Sequence, residues 1–282
     1  MTSTVNAVIP VDELIAAAHE LSVTGRWERA SRLLDACITD VPGPRAQLAR
    51  AAAQVALEQD WFAGTDTATA RIEAAEKEFP GGDWDVDFAR LRNTYRRLLV
   101  VDGRLRLGPD GKDPETLASL RHEAEVLRDD APDEGRRGWA EMYLGLITDN
   151  HFADLAGAPP HYASALRAAE SVDEPLLARE ALRHLGDHDH DAGDHDLALE
   201  RWRRAATLGA GAGTVPGTLS QLLLLAVLAR DSGDEAGAGA LATEVAHWAE
   251  AIGAPRLAAQ ARDFLTGVDP TQPPQQDGAR RP

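Results

Sequence analysis

The sequence predicts an all-α chain, an array of about six antiparallel helix pairs with a C-terminal capping helix. Three observations carry that expectation. Hydrophobic residues make up 44 % of the 282 residues but aromatics only 5 %. Alanine and leucine therefore fill the apolar quota, which suits close-packed helices better than sheets. Short segments also repeat one spacing of small and bulky residues, and Gly, Asp and Pro fall between them, where a helix must stop, turn and restart.

Residues 1–10 are read as a flexible N-terminus and 11–266 as the repeat domain. Within it, "TGRWERASRLLDACITDVP" gives Gly25, Ala30, Leu34 and Cys37, closed by Pro42. "ATARIEAAEKEFP" repeats those offsets with Ala68, Ile72, Ala75 and Pro80. Two degenerate pairs follow. "FARLRNTYRRLLVV" is joined to "PETLASLRHEAEVL" by the longer loop "DGRLRLGPDGKD", and "GWAEMYLGLI" to "PHYASALRAAESV" by a loop ending in Pro159-Pro160. Next come Leu185-Gly186, Gly193-Asp194, Ala198, Trp202 and Ala205, then Gly233-Asp234, Ala238, Ala242 and Val245. "APRLAAQARDFLT" closes the array with Leu257, Ala261, Phe264 and Leu265 on one face, since the outer face of a terminal repeat has no neighbour. Residues 267–282 are Pro/Gln-rich and aperiodic, and are read as a disordered tail.

The order Leu-Gly, Ala, aromatic, small residue resembles the tetratricopeptide repeat. Leu182 stands where that repeat's first-helix tryptophan is usual, and Asp189 where a tyrosine is. The resemblance covers roughly residues 11–253 and implies a right-handed superhelical array (an α-solenoid) whose first helices line a concave groove. In proteins with this repeat, Arg, Lys and Asn in the groove grip carboxylates of bound peptides.

That implication bears on "RLRNTYRR". Phe88, Leu91, Tyr95 and Leu98 make an apolar stripe that leaves Arg90, Asn93 and Arg97 on one polar side, flanked by Arg92 and Arg96. By resemblance, Arg183, Asp187 and His190 on another first helix face the same groove. These six form the candidate peptide-binding set; for any single arginine, surface pairing with the abundant Asp and Glu is the competing account.

"HLGDHDHDAGDHDLALERW" (184–202) holds four histidines and five aspartates. As a calcium loop it fails where glycine and the bidentate glutamate are needed, since Ala192 and Ala198 stand there. His184, His188 and Asp191 share one helical face and form the better metal candidate. A helix end, a Gly-Asp turn and a helix start explain the stretch more fully, because they also account for Ala198, Trp202 and Ala205.

The formal net charge of −17, with Lys77 and Lys112 the only lysines among 29 basic residues, disfavours nucleic acid and anionic lipid as partners. One cysteine, Cys37, excludes an intrachain disulfide or a thiolate zinc site. "LLLLAVLA" (222–229) is far short of the roughly 20 residues of a membrane span, and the N-terminus lacks the pattern of a secretory signal. No GxSxG elbow or HExxH helix is present, and "GAGAGTVPG" (209–217) follows a helix where a dinucleotide loop would follow a strand. The expectation is a cytoplasmic, non-catalytic scaffold or adaptor that needs no cofactor and presents a groove to a protein or peptide. A sensor of a small molecule or signalling peptide is the alternative, and a metal-dependent enzyme using 184–195 is a third.

Overall fold

The computed structural model describes residues 9–101 and 104–271, and these form the expected all-α array. The helices run in antiparallel pairs: α1 (Val11–Val23) with α2 (Trp27–Asp35), α3 (Pro42–Phe62) with α4 (Ala68–Glu78), and α5 (Trp84–Leu99) with α6 (Pro114–Asp129). Then come α7 (Glu134–Asn150) with α8 (Ala158–Val172), α9 (Pro175–Asp191) with α10 (His195–Gly211), and α11 (Val215–Asp231) with α12 (Glu235–Ala251). A single helix, α13 (Pro255–Leu265), closes the series. Most of the expected flexible N-terminus and tail, residues 1–8 and 272–282, lies outside the described residues. Among the described residues no helix is long and apolar enough to cross a membrane.

The recurring spacing marks where paired helices touch. Ala30, Ala68, Ala198 and Ala238 are each fully buried, as are Ala75 and Ala205 at the second small position. A methyl group there lets two backbones approach, and the bulky residue between fills the space beside the contact. At the pair ends, Asp194 and Asp234 accept the N–H of the third helical residue, and Gly193 (φ 81°) supplies the left-handed turn after α9.

The degenerate α7–α8 pair keeps the same register. A Cβ on Gly186 would stand 2.5 Å from the Trp202 ring, and one on Gly145 would stand 2.5 Å from the Tyr162 ring. Leu144-Gly145, Ala158, Tyr162 and Ala165 are thus the counterparts of Leu185-Gly186, Ala198, Trp202 and Ala205.

One feature goes beyond the sequence expectation: α13 covers an apolar face shared with the first helices through Leu257, Ala261 and Phe264, while Leu265 stays exposed. One core joins Trp27, Leu48 and Val55 from the first three helices to Leu219, Leu223, Leu257 and Phe264 from the last three. The backbone at Gly25 comes close enough that a Cβ there would lie 3.3 Å from Ile252 and 3.6 Å from Pro216. Each terminal unit covers the other's apolar face, and the array closes on itself. Burial of that shared face is the physical reason the ends meet.

The long loop between α5 and α6 contains a short antiparallel pair, β1 (Val100–Val101) with β2 (Arg104–Leu105). Beyond it Gly108 donates to the Asn150 carbonyl, and the Lys112 ammonium donates to His151 Nδ1 at 2.7 Å. His151 is fully buried, and burial together with Lys112 pushes its pKa down from 6.5 to about 4.

Two expectations follow from this packing. Trp202→Ala should cost about 3–5 kcal/mol by opening a cavity against Gly186, and Ala198→Trp should overpack the same contact. Urea denaturation checks both, and an unchanged midpoint for Ala198→Trp would contradict the helix contact. For His151 the unfolded chain takes up a proton as pH falls through 6.5, whereas the folded chain resists until about 4. Stability present above 6.5 is therefore lost between those values, on the order of 3 kcal/mol in total. Unfolding free energies at pH 7 and pH 4.5 should differ more for the wild type than for His151→Gln.

Candidate functional site

The inner helices α3, α5, α7, α9, α11 and α13 face a common centre, where they enclose a cavity of about 330 Å³. Five arginines line it (Arg92, Arg96, Arg179, Arg183 and Arg256) against two glutamates, Glu58 and Glu180. A strongly acidic chain has thus turned an excess of positive charge inward. A wider outer groove of about 810 Å³, between α6, α7 and α8, is lined instead by three arginines and three carboxylates and carries no such excess.

Each cavity arginine is held differently. Arg92 donates to Tyr143 Oη at 3.2 Å, to Gln54 Oε1 at 2.7 Å and to Glu58 Oε1 at 2.7 Å, so its fork is fully engaged. Arg96, one turn along α5, donates from Nη2 to Asp66 Oδ1 at 3.1 Å and approaches Asp60 at 3.5 Å; its Nε is buried without a partner. Asp60 itself is consumed by the start of α4, accepting from the Thr67 and Ala68 amides. Arg179 bonds its sequence neighbour Glu180 through Nη2, while Nε and Nη1 are buried and unpartnered. Its seat is made by two glycines: a Cβ on Gly217 would stand 2.7 Å from Nη2, and one on Gly209 would stand 3.0 Å from Cδ. The "GAGAGTVPG" stretch therefore has a packing role here, to clear space for a guanidinium.

Arg183 lies beside His184, with Nη1 2.8 Å from Nε2, and 3.7 Å from Asp187. Burial and the neighbouring Arg183 hold His184 well below the usual imidazole range, so it is neutral at pH 7. Arg256 reaches in from α13, 5.8 Å over the Trp61 ring. Burial lowers its pKa, and the charged neighbour acting on it is another cation, Arg96. The cavity wall also carries Trp61, Tyr95 and Trp139 with several leucines, so cationic and apolar surfaces meet inside it.

Of the sequence-stretch candidates for peptide binding, Arg183 lines this cavity. Arg90 is exposed and pairs with Glu76 and Asp87, while Asn93 and Arg97 both donate to Thr69 Oγ1 at 3.0 Å. These three therefore turn toward α4. Asp187 accepts from Trp202 Nε1 at 3.1 Å, and His190 stacks on Trp202. The inward side of α5 is formed by Arg92, Tyr95, Arg96 and Leu99. Arg179 and Arg256 escaped the sequence reading, and Arg92 and Arg96 entered it only as residues flanking the stripe; the two glycines around Arg179 are the nearest thing to a signal, and they lie one and two helices away.

The metal candidates His184, His188 and Asp191 do not converge. His184 stacks on Tyr162 with centroids 5.1 Å apart, His188 bonds Asp149 at 3.1 Å, and Asp191 is exposed.

No family profile matches the chain, and no curated protein does. Among solved structures it is similar to a signal transduction ATPase with numerous domains carrying a tetratricopeptide repeat sensor, from Pyrococcus horikoshii. That similarity has 17 % identity and a TM-score of 0.46, and covers 92 % of this chain and 39 % of that one. The chain thus spans about two fifths of that protein's length. BtubC (BKLC) from P. vanneervenii is similar at 14 % identity and a TM-score of 0.47, over 96 % of this chain and 98 % of that one.

Proposed function

We propose that the chain is a non-catalytic binding module of the sensor kind, and that its ligand is an anion with an apolar body held in the central cavity. One observation carries this reading: five arginines face only two glutamates on the wall of one central cavity. A carboxylate or phosphate group is the chemistry that balances an excess of guanidinium charge, through charge-assisted hydrogen bonds. The leucines and aromatic rings of the same wall favour hydrocarbon or an aryl group on the rest of the ligand. A volume of about 330 Å³ suits a small molecule or the end of a peptide better than a through-going segment. Arginines, which stay charged, are the groups that grip an anion, and this supports a binding role. Scaffolding of a protein partner remains the role of the outer surface in this reading.

The test is a thermal-shift and calorimetry panel of decanoate, octyl phosphate, phenyl phosphate and an acidic octapeptide, with octanol as the neutral control. At 100 times its Kd a true ligand stabilises the fold by about 2.7 kcal/mol. Arg179→Gln should weaken binding at least tenfold, because each lost charge-assisted bond is worth roughly 1.5–3 kcal/mol. Arg256→Gln should also weaken binding while leaving the melting temperature unchanged or higher, since it removes a partly buried cation that feels the charge of Arg96. A response to the octapeptide alone would favour a peptide ligand. Equal responses to octanol and octyl phosphate, or no loss in either variant, would remove the arginine cavity from function.

A further inference from the structure

The histidine-rich stretch holds a second site where the ends of α9 and α11 meet the start of α10. His190 lies in the last turn of α9, His195 is the first residue of α10, and Asp231 is the last residue of α11. The Gly193 turn folds His195 back so that its ring stacks on His190, with centroids 5.1 Å apart and planes 14° apart. Asp231 Oδ2 lies 2.8 Å from His190 Nε2. One ligand atom from each of the three residues lies within 4.8 Å of the other two.

We propose that His190, His195 and Asp231 bind one divalent transition-metal ion of the zinc or nickel class. Two imidazoles and a carboxylate are a donor set suited to such ions and unsuited to calcium or magnesium, which want mostly oxygen. Donors about 2 Å from a tetrahedral ion stand roughly 3.3–3.5 Å apart, so small rotations of the exposed His195 and Asp231 side chains close the site. His190 is already fixed, its ring stacked between His195 and Trp202.

An independent observation points the same way. The His190 side chain is 9 % exposed, and its Nδ1 is buried without a hydrogen-bond partner. In the tautomer whose Nε2–H donates to Asp231, Nδ1 is left as a stranded acceptor. Coordination through Nε2 moves the proton to Nδ1, which then faces Asp191 Oδ1, 3.7 Å away. A small rotation of the exposed Asp191 would complete the carboxylate–histidine–metal arrangement in which an outer carboxylate orients the ring. The nearby arginines are committed elsewhere: Arg201 to Asp189 at 2.7 Å and Arg230 to Glu235 at 2.8 Å. The ion would join the fifth helix pair to α11.

The experiment uses the full chain with any affinity tag removed, stripped with chelator and titrated with zinc chloride, nickel chloride or magnesium chloride by calorimetry. One zinc or nickel ion per chain with micromolar or tighter affinity is expected, and no magnesium binding. His195→Ala and Asp231→Asn change exposed side chains, so both should fold by circular dichroism and bind zinc at least tenfold more weakly. His184→Gln should bind as the wild type does. Zinc should raise the wild-type urea midpoint, and chelator should reverse the rise. Zinc affinity unchanged in His195→Ala, or no binding at micromolar zinc, would overturn the proposal.

Discussion

The structure depends on how closely two helices of a pair can lie. That distance is set by side chains reduced to a methyl group or to hydrogen. Ala30, Ala68, Ala158, Ala198 and Ala238 are all fully buried. At Gly145 and Gly186 even a methyl group would collide with the ring of Tyr162 or Trp202. Because the same contact recurs along the chain, each pair is offset from the last in a similar way, and small rotations accumulate. The inner helices are thereby brought round a common centre, and the first and last units meet across one core. Curvature, closure and cavity all trace to this one local contact.

Closure changes the electrostatics of the inner wall. In an open groove an arginine faces water, which screens it and satisfies its donors. Inside a closed ring the same residue loses solvent and must find partners among its neighbours. Arg92 finds three, including Glu58, whereas Arg179 has only the adjacent Glu180 and leaves two nitrogens unsatisfied. Conserving buried charge without full pairing is costly, and a fold tolerates it where the charge has a task. The surplus of Asp and Glu that gives the chain its charge of −17 sits mainly elsewhere, which makes the cavity a local positive well in a negative field.

The helix pairs were legible in the sequence because their signal is local: a small residue, a bulky one four later and another small one three after that. Even the weak α7–α8 pair obeys it. Its Leu144-Gly145 was hidden because the link to Ala158 is one residue longer than the link from Gly186 to Ala198. The site was less legible. Taking Phe88, Leu91, Tyr95 and Leu98 as the buried stripe of α5 placed Arg92 and Arg96 at its margin, but Tyr95 points toward the centre and the two arginines flank it there. Their aliphatic stems can cover an inner wall that a polarity pattern assigns to solvent. Arg179 was invisible because its seat is built by Gly209 and Gly217, and ring closure because it joins residues at opposite ends of the chain. Neither leaves a trace within one helix.

The seam where the ring closes is also where two cations, Arg96 and Arg256, influence each other. Apolar burial between the terminal units draws α13 against α3, and with it brings Arg256 toward Arg96. The stacking of Arg256 over Trp61 offsets part of that repulsion, but a ring carbon face is a weak counter-charge beside a carboxylate. The closed state is therefore held by hydrophobic contact, with two cations set near its seam, of which Arg96 is paired with Asp60 and Asp66. An anion lodged between these two arginines attracts both while leaving the apolar contact intact. Such a ligand binds the closed ring in preference to an open one, so its affinity and the stability of closure are linked quantities. In the proposed sensor role that linkage would arise from placing the last helix of the repeat array against its first pairs.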